Sequence, residues 1–293
     1  MTLPTSPQIR RILVPTDLTP ESAHALDHAR LLQSRLGSHV TLYHALEIPG
    51  RGWVRAAGHE EELRRRLAAQ ASLELERQGR SLPGPFDAVV EPDVSAPALL
   101  VDVALLRFIQ ATLPDLIVMG THSRGAMNAF FLGSVAQEVL RHAGRPVLAV
   151  GPGCAAPARG YARIVLPTDL SEASREAFPI AVLLARAFEA RVTALHAVPR
   201  PLLTALADNP HALAAAVPST SALAEFVAGL GDVRVTPRVE QGQAWDRIVA
   251  VAREEKADLI VMATRGADSL GDRILGSQTE RVIRHAECPV LAV

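Results

Sequence analysis

Two stretches of this chain repeat one another at two different spacings, and no other feature of the sequence constrains its fold as much. ILVPTDL at 12–18 returns as IVLPTDL at 164–170, setting Asp17 against Asp169 at a spacing of 152. VTLYHAL and VTALHAV keep that spacing and pair His44 with His196. Further along, DLIVMG at 115–120 matches DLIVMA at 258–263, now 143 apart. LGSVAQEVLRHAGRPVLAV at 132–150 then matches LGSQTERVIRHAECPVLAV at 275–293 at the same 143. The difference falls between the second and fourth apolar runs, where repeats vary in their loops. The chain is a duplicated domain.

Each copy alternates strands with helices. ILVPTD is a short β-branched run closed by Pro-Thr-Asp, which predicts a buried parallel strand ending in a turn. Thr19-Pro20-Glu21-Ser22 opens a helix to about Leu36, with Gly37 as its stop. Strands follow near 39–46, 86–91, 114–119 and 146–150. Such alternation predicts a doubly wound parallel sheet with right-handed crossovers in each copy. GPGCAAPARG, residues 151–160, has no apolar period and reads as a linker between a first domain over 1–150 and a second over 161–293. Residues 59–80 interleave Glu and Arg as a solvated crossover helix. Residues 202–230 are far more apolar, which suggests a covering surface that one copy has and the other lacks.

Composition excludes several chemistries. With 48% hydrophobic and 21% charged residues the chain is globular rather than disordered. A net charge of −1 argues against a nucleic-acid partner. No signal-like or membrane-spanning apolar stretch is evident, and Cys154 and Cys288 lack metal-ligand spacing, so a reduced cytoplasmic protein is expected. Lys256 is the only lysine. It does not follow a glycine, so a Walker-type phosphate loop is ruled out.

Ligands of open α/β sheets bind beyond the carboxyl ends of the strands. Two segments of each copy meet there. One is the Pro-Thr-Asp after the first strand. The other follows the fourth: GTHSRGAMNAFFLGS in one copy and ATRGADSLGDRILGS in the other. Each loop closes on Gly-Ser before an amphipathic helix. In isolation Ser134 and Ser277 read as helix caps; the recurrence of the whole arrangement favours a phosphate-binding helix start.

This pairing of PTD with a G-x2-G-x9-G-[ST] loop resembles the universal stress proteins that bind ATP, and the resemblance covers nearly the whole chain. It implies two tandem doubly wound, five-stranded parallel sheets of the adenine nucleotide alpha hydrolase-like type. It implies ATP as ligand, with or without Mg2+, a role in stress response through protein contacts, and at most slow hydrolysis. Carried over by motif, the first copy offers Pro15, Thr16, Asp17, Ala45, Met119, Gly120, Gly133, Ser134 and Val135, with Ser123 standing where the second glycine is expected. The second copy offers Pro167, Thr168, Asp169, Ala197, Met262, Gly266, Gly276, Ser277 and Gln278, with Ala263 in place of the first glycine. If that position needs positive φ, Ala costs of order 1 kcal/mol; if phosphate approaches the backbone there, a Cβ excludes it. Arg124 and Gly125 favour the first copy, whereas Asp268 beside Arg265 disfavours the second. The family also dimerises through its last strand, so the two PVLAV segments suggest a pseudo-dimer within the chain and a possible homodimer.

Other constellations read more plainly. His24 and His28, one helical turn apart, are expected to be surface residues rather than metal ligands. His44 and His196 are expected to be hydrogen-bonded strand-end residues rather than catalytic bases. Trp245 should pack at a helix start, while Trp53 falls in a variable Gly/Arg segment. No nucleophile elbow or zinc motif occurs, and dedicated catalysis is not expected. The competing reading is an interaction scaffold with degenerate sites; an adenylating ligase lacks a second substrate motif.

Overall fold

The computed structural model describes residues 7–47, 60–91, 100–121, 132–199, 219–264 and 275–293. The chain divides into two compact units, residues 9–156 and the part built on 157–293. The first unit runs β1 (Arg11–Pro15), α1 (Ala23–Leu36), β2 (His39–Ala45), α2 (Glu60–Gly79), β3 (Phe86–Glu91), α3 (Val101–Thr112), β4 (Leu116–Gly120), α4 (Ser134–His142) and β5 (Val147–Val150). Its strands lie in the order β3-β2-β1-β4-β5, each parallel to its neighbours. The second unit runs β6 (Arg163–Pro167), α5 (Phe178–Phe188), β7 (Arg191–Val198), α6 (Thr220–Val227), β8 (Val235–Gln241), α7 (Ala244–Glu254), β9 (Leu259–Met262), α8 (Ser277–His285) and β10 (Val290–Ala292). Its order, β8-β7-β6-β9-β10, is the same doubly wound arrangement.

Why these residues make this sheet follows from burial. Ile12, Leu13 and Val14 of β1, like Ile164, Val165 and Leu166 of β6, are at most 1% exposed, as a central strand covered on both faces requires. Right-handed crossovers put α1 and α2 on one face and α3 and α4 on the other. In keeping with this, Gln33 of α1 donates to the Pro85 carbonyl just ahead of β3, while α3 packs on α4. A carboxylate pins the start of each central strand. Asp115 Oδ2 accepts the Arg10 and Arg11 amides, both at 2.9 Å, and Asp258 Oδ2 accepts those of Ala162 and Arg163 at 2.9 Å.

Helix α1 begins about a turn later than the Thr-Pro-Glu-Ser signal predicts. Thr16 and Asp17 bind the next backbone groups with their side chains, and such local bonds compete with helix. Gly37 ends the helix in the left-handed region, at φ 67°. The Glu/Arg helix is α2, held on its outer side by pairs such as Arg65–Glu61 at 3.1 Å and Arg66–Glu62 at 2.7 Å. The expectation of a surface His28 fails: the residue is 0% exposed, and its Nε2–H donates to the Cys154 carbonyl at 3.0 Å. Burial lowers its pKa below the usual 6.5, keeping the imidazole neutral. The linker is thereby tied to the first unit at Cys154. Trp53 and most of the apolar 202–230 stretch lie outside the described residues. Among the described residues no helix is long and apolar enough to cross a membrane.

Candidate functional site

The first part of the site is the turn after the central strand. Leu18 takes a left-handed φ of 62° and its counterpart Leu170 one of 64°. That conformation costs a non-glycine residue of order 1 kcal/mol and persists only where neighbours over-determine it. The neighbours here are side chains. Leu18 N–H donates to Thr16 Oγ1 at 3.0 Å, and Thr19 donates to Asp17 Oδ1 from its amide at 3.1 Å and its hydroxyl at 2.6 Å. Thr16 Oγ1 pairs with Ser22 Oγ at 2.8 Å. The second unit repeats each bond: Leu170 to Thr168 Oγ1 at 3.0 Å, Ser171 N–H to Asp169 Oδ1 at 3.0 Å, and Thr168 with Ser174 at 2.7 Å. His44 Nδ1–H donates to the Thr16 carbonyl and His196 Nδ1–H to that of Thr168, both at 2.9 Å. Both histidines are hydrogen-bonded strand-end residues that brace the turn and fix the ring tautomer.

The second part is where the fourth strand meets the next helix. Gly133 N–H donates to the Thr121 carbonyl at 2.8 Å, and Gly276 N–H to that of Thr264 at 2.9 Å. These glycines are themselves the N-caps of α4 and α8, with no side-chain cap bond. Ser134 and Ser277 therefore stand one residue inside the helix and are not its caps. Gly276 is demanded by close approach, because a Cβ there would lie 2.8 Å from the Thr264 carbonyl oxygen. At the position where the copies differ, neither Gly120 nor Ala263 has positive φ. The conformational penalty considered for Ala263 therefore does not arise.

In the first unit these parts frame a cavity of about 740 Å3. Pro15, Thr16, Asp17, Ala45, Met119, Gly120, Gly133, Ser134 and Val135 all line it, so every described site residue of the first copy converges. Ser123 lies outside the described residues, as do Gly266, Arg124, Gly125, Arg265 and Asp268. In the second unit Pro167, Thr168 and Asp169 close β6, Ala197 lies in β7, Met262 ends β9, and Gly276, Ser277 and Gln278 open α8. Asp169 is exposed where Asp17 is half-buried. Gln278 is engaged elsewhere: its Oε1 accepts the Trp245 amide at the start of α7, 3.1 Å away. The Trp245 ring lies 4.9 Å from that of His285.

Charge is unevenly distributed around the cavity. The first turn of α4 carries no acidic residue, whereas that of α8 carries Glu280, paired with Arg284 at 2.6 Å. A helix N-terminus presents unpaired amides and a positive dipole end, and an acidic residue in the first turn offsets them. At the β2 side, Glu47 and Glu74 line the cavity. Hydrogen bonds from Arg77 and Gln78 hold Glu74 down to about 2, so it is ionised. Sequence reasoning missed Thr121, Tyr43 and Leu105, which also line the cavity. Thr121 could have been found, since Thr264 matches it at the same 143 spacing.

Fold and site together define a duplicated, doubly wound α/β protein with matched polar turns at its strand ends. The sequence model of the Universal stress protein family matches residues 8–151 and again 160–293, and the chain belongs to that family as a tandem member. It is similar to a universal stress protein of Methanocaldococcus jannaschii, 37% identical over 139 residues, covering 45% of this chain and 82% of the relative. A Thermus aquaticus universal stress protein is 36% identical over 135 residues, covering 45% and 98%. Among solved structures, an Archaeoglobus fulgidus universal stress protein superposes with a TM-score of 0.61 at 22% identity, over 97% of this chain and 96% of its own. A Pseudomonas aeruginosa protein described as functionally unknown reaches 0.65 at 19%, over 97% and 92%.

Proposed function

We propose that the first unit binds an adenine nucleotide, ATP foremost, and that the protein acts in stress response through the surfaces this binding alters. The observation that carries the reading is the convergence of all nine described first-copy motif residues on one cavity of about 740 Å3, a size suited to a nucleotide. Its charge distribution orients the ligand. Phosphates go to the amides at the start of α4, where no acidic side chain opposes them, and the base goes toward β2, on the side of Glu47 and Glu74. Asp17, held by its turn, is placed for the ribose, and Mg2+ would arrive with the phosphates. His44 braces the turn through Nδ1, and with no second acid or base identified beside it among the described residues the reading is of a binding site with at most slow hydrolysis. The second unit is the weaker site or a scaffold, since Gln278 is engaged and Glu280 stands in the first turn of α8.

Calorimetric titration of the full chain with Mg-ATP tests this. Asp17→Ala is expected to weaken binding about tenfold, the scale of one charge-assisted hydrogen bond, while Asp169→Ala leaves the main transition unchanged. No heat at millimolar ATP overturns the reading. Loss in Asp169→Ala alone moves the site to the second unit.

A further inference from the structure

Tyr43 is a polar residue where the duplicated frame needs none. Its counterpart is Leu195, and the two hold the same place in their sheets: Tyr43 registers with Pro15 and Leu195 with Pro167. Each is 1% exposed, and each gives its carbonyl to the threonine of the adjoining turn at 2.9 Å. Leucine therefore satisfies the packing. The tyrosine instead buries a hydroxyl that has no hydrogen-bond partner among the described residues, although the residue lines the cavity. Leaving such a group unpaired works against folding, and native proteins keep few of them without reason.

The surroundings define what could pair with it. Its ring lies 4.6 Å from Phe108 of α3, and Val101, Leu105 and Met119 line the same cavity. Burial, with the Glu91 carboxylate adding to it, pushes the phenol pKa up, so the group stays protonated and donates. An apolar wall with one donor beside a carboxylate rejects anions and accepts a flat, uncharged group that presents a lone pair.

We infer that Tyr43 is a specificity-determining residue of the first-unit site, its hydroxyl donating to an acceptor atom on the uncharged ring of the bound ligand. The inference rests on the nucleotide reading above, in which that ring is the base and the acceptor one of its ring nitrogens. Leu195 gives the second unit no such donor, so the two sites differ in selectivity as well as in charge.

The test is calorimetry on the full chain with ATP and its 1-deaza, 3-deaza and 7-deaza analogues, each of which lacks one ring nitrogen. Tyr43→Phe is expected to weaken ATP about fivefold, the value of one neutral hydrogen bond. One analogue should lose the same factor on the wild-type protein and nothing further on Tyr43→Phe. Without ligand, Tyr43→Phe should melt no lower than wild type, because it removes an unpaired hydroxyl. Tyr43→Leu should fold as the second unit does. If ATP binds Tyr43→Phe as tightly as wild type, this inference falls while the nucleotide reading stands. It also falls if Tyr43→Phe weakens all three analogues alike, or if the unliganded variant is less stable. Absence of ATP binding to wild type removes both.

Discussion

Asp17 and Asp169 make the same hydrogen bonds in the same turns, with a leucine forced into left-handed φ after each. The helix starts that face those turns have diverged. α4 opens on uncharged residues, and α8 opens with Glu280 in its first turn and with Gln278 drawn off to Trp245. The turn is maintained by bonds that each side chain makes to its own backbone, so it survives duplication as a self-contained unit. Charge at a helix start acts chiefly on what comes to it from outside, adding only about 0.3–1 kcal/mol to the helix itself. Once the units separate in role, the fold holds that charge only weakly, through an i,i+4 pair with Arg284.

If that account is right, substitutions in the shared frame should cost both units alike, and substitutions in the divergent part should not. The largest effect belongs to the carboxylates that pin β1 and β6. Asp115→Ala and Asp258→Ala should each destabilise their own unit by about 2 kcal/mol, since two strand-start amides lose a shared charged acceptor. Urea unfolding of each variant reads this, and markedly unequal costs would break the equivalence. Next is a difference in acid sensitivity. His28 is matched by Ile180, which cannot titrate and is likewise buried. The native imidazole resists protonation, so below the usual value of 6.5 the unfolded chain binds more protons than the native one. First-unit stability should fall with decreasing pH from there at up to about 1.4 kcal/mol per pH unit, and His28→Gln should flatten the profile. The smallest effect sharpens the contrast between helix starts. Glu280→Gln in an Asp17→Ala background should raise second-unit ATP affinity about threefold by calorimetry. No change there would mean that charge is not what separates the two sites.

Much of this architecture was legible before any coordinates. The matched ILVPTDL and DLIVMG segments placed the central strands of both units, and the family's motif named first-copy residues that share one cavity. The start of α1 was not legible, because Thr16 and Asp17 capture the backbone in a way that apolar periodicity does not record. Nor was the burial of His28, whose partner is a backbone carbonyl 126 residues away and leaves no mark on local pattern. Tyr43 was visible in VTLYHAL, but its meaning depended on seeing Leu195 buried at the same register.

Leu18 sits where glycine would relieve the backbone at no steric cost, yet the chain carries leucine there and again at 170. What is being kept is thus the side chain, and in the first unit that side chain forms part of the cavity wall beside Asp17. The cavity wall thus carries an apolar group that the backbone strains to hold in place. Water against that wall has less to bind, and an arriving ligand meets an Asp17 carboxylate that is already half-buried.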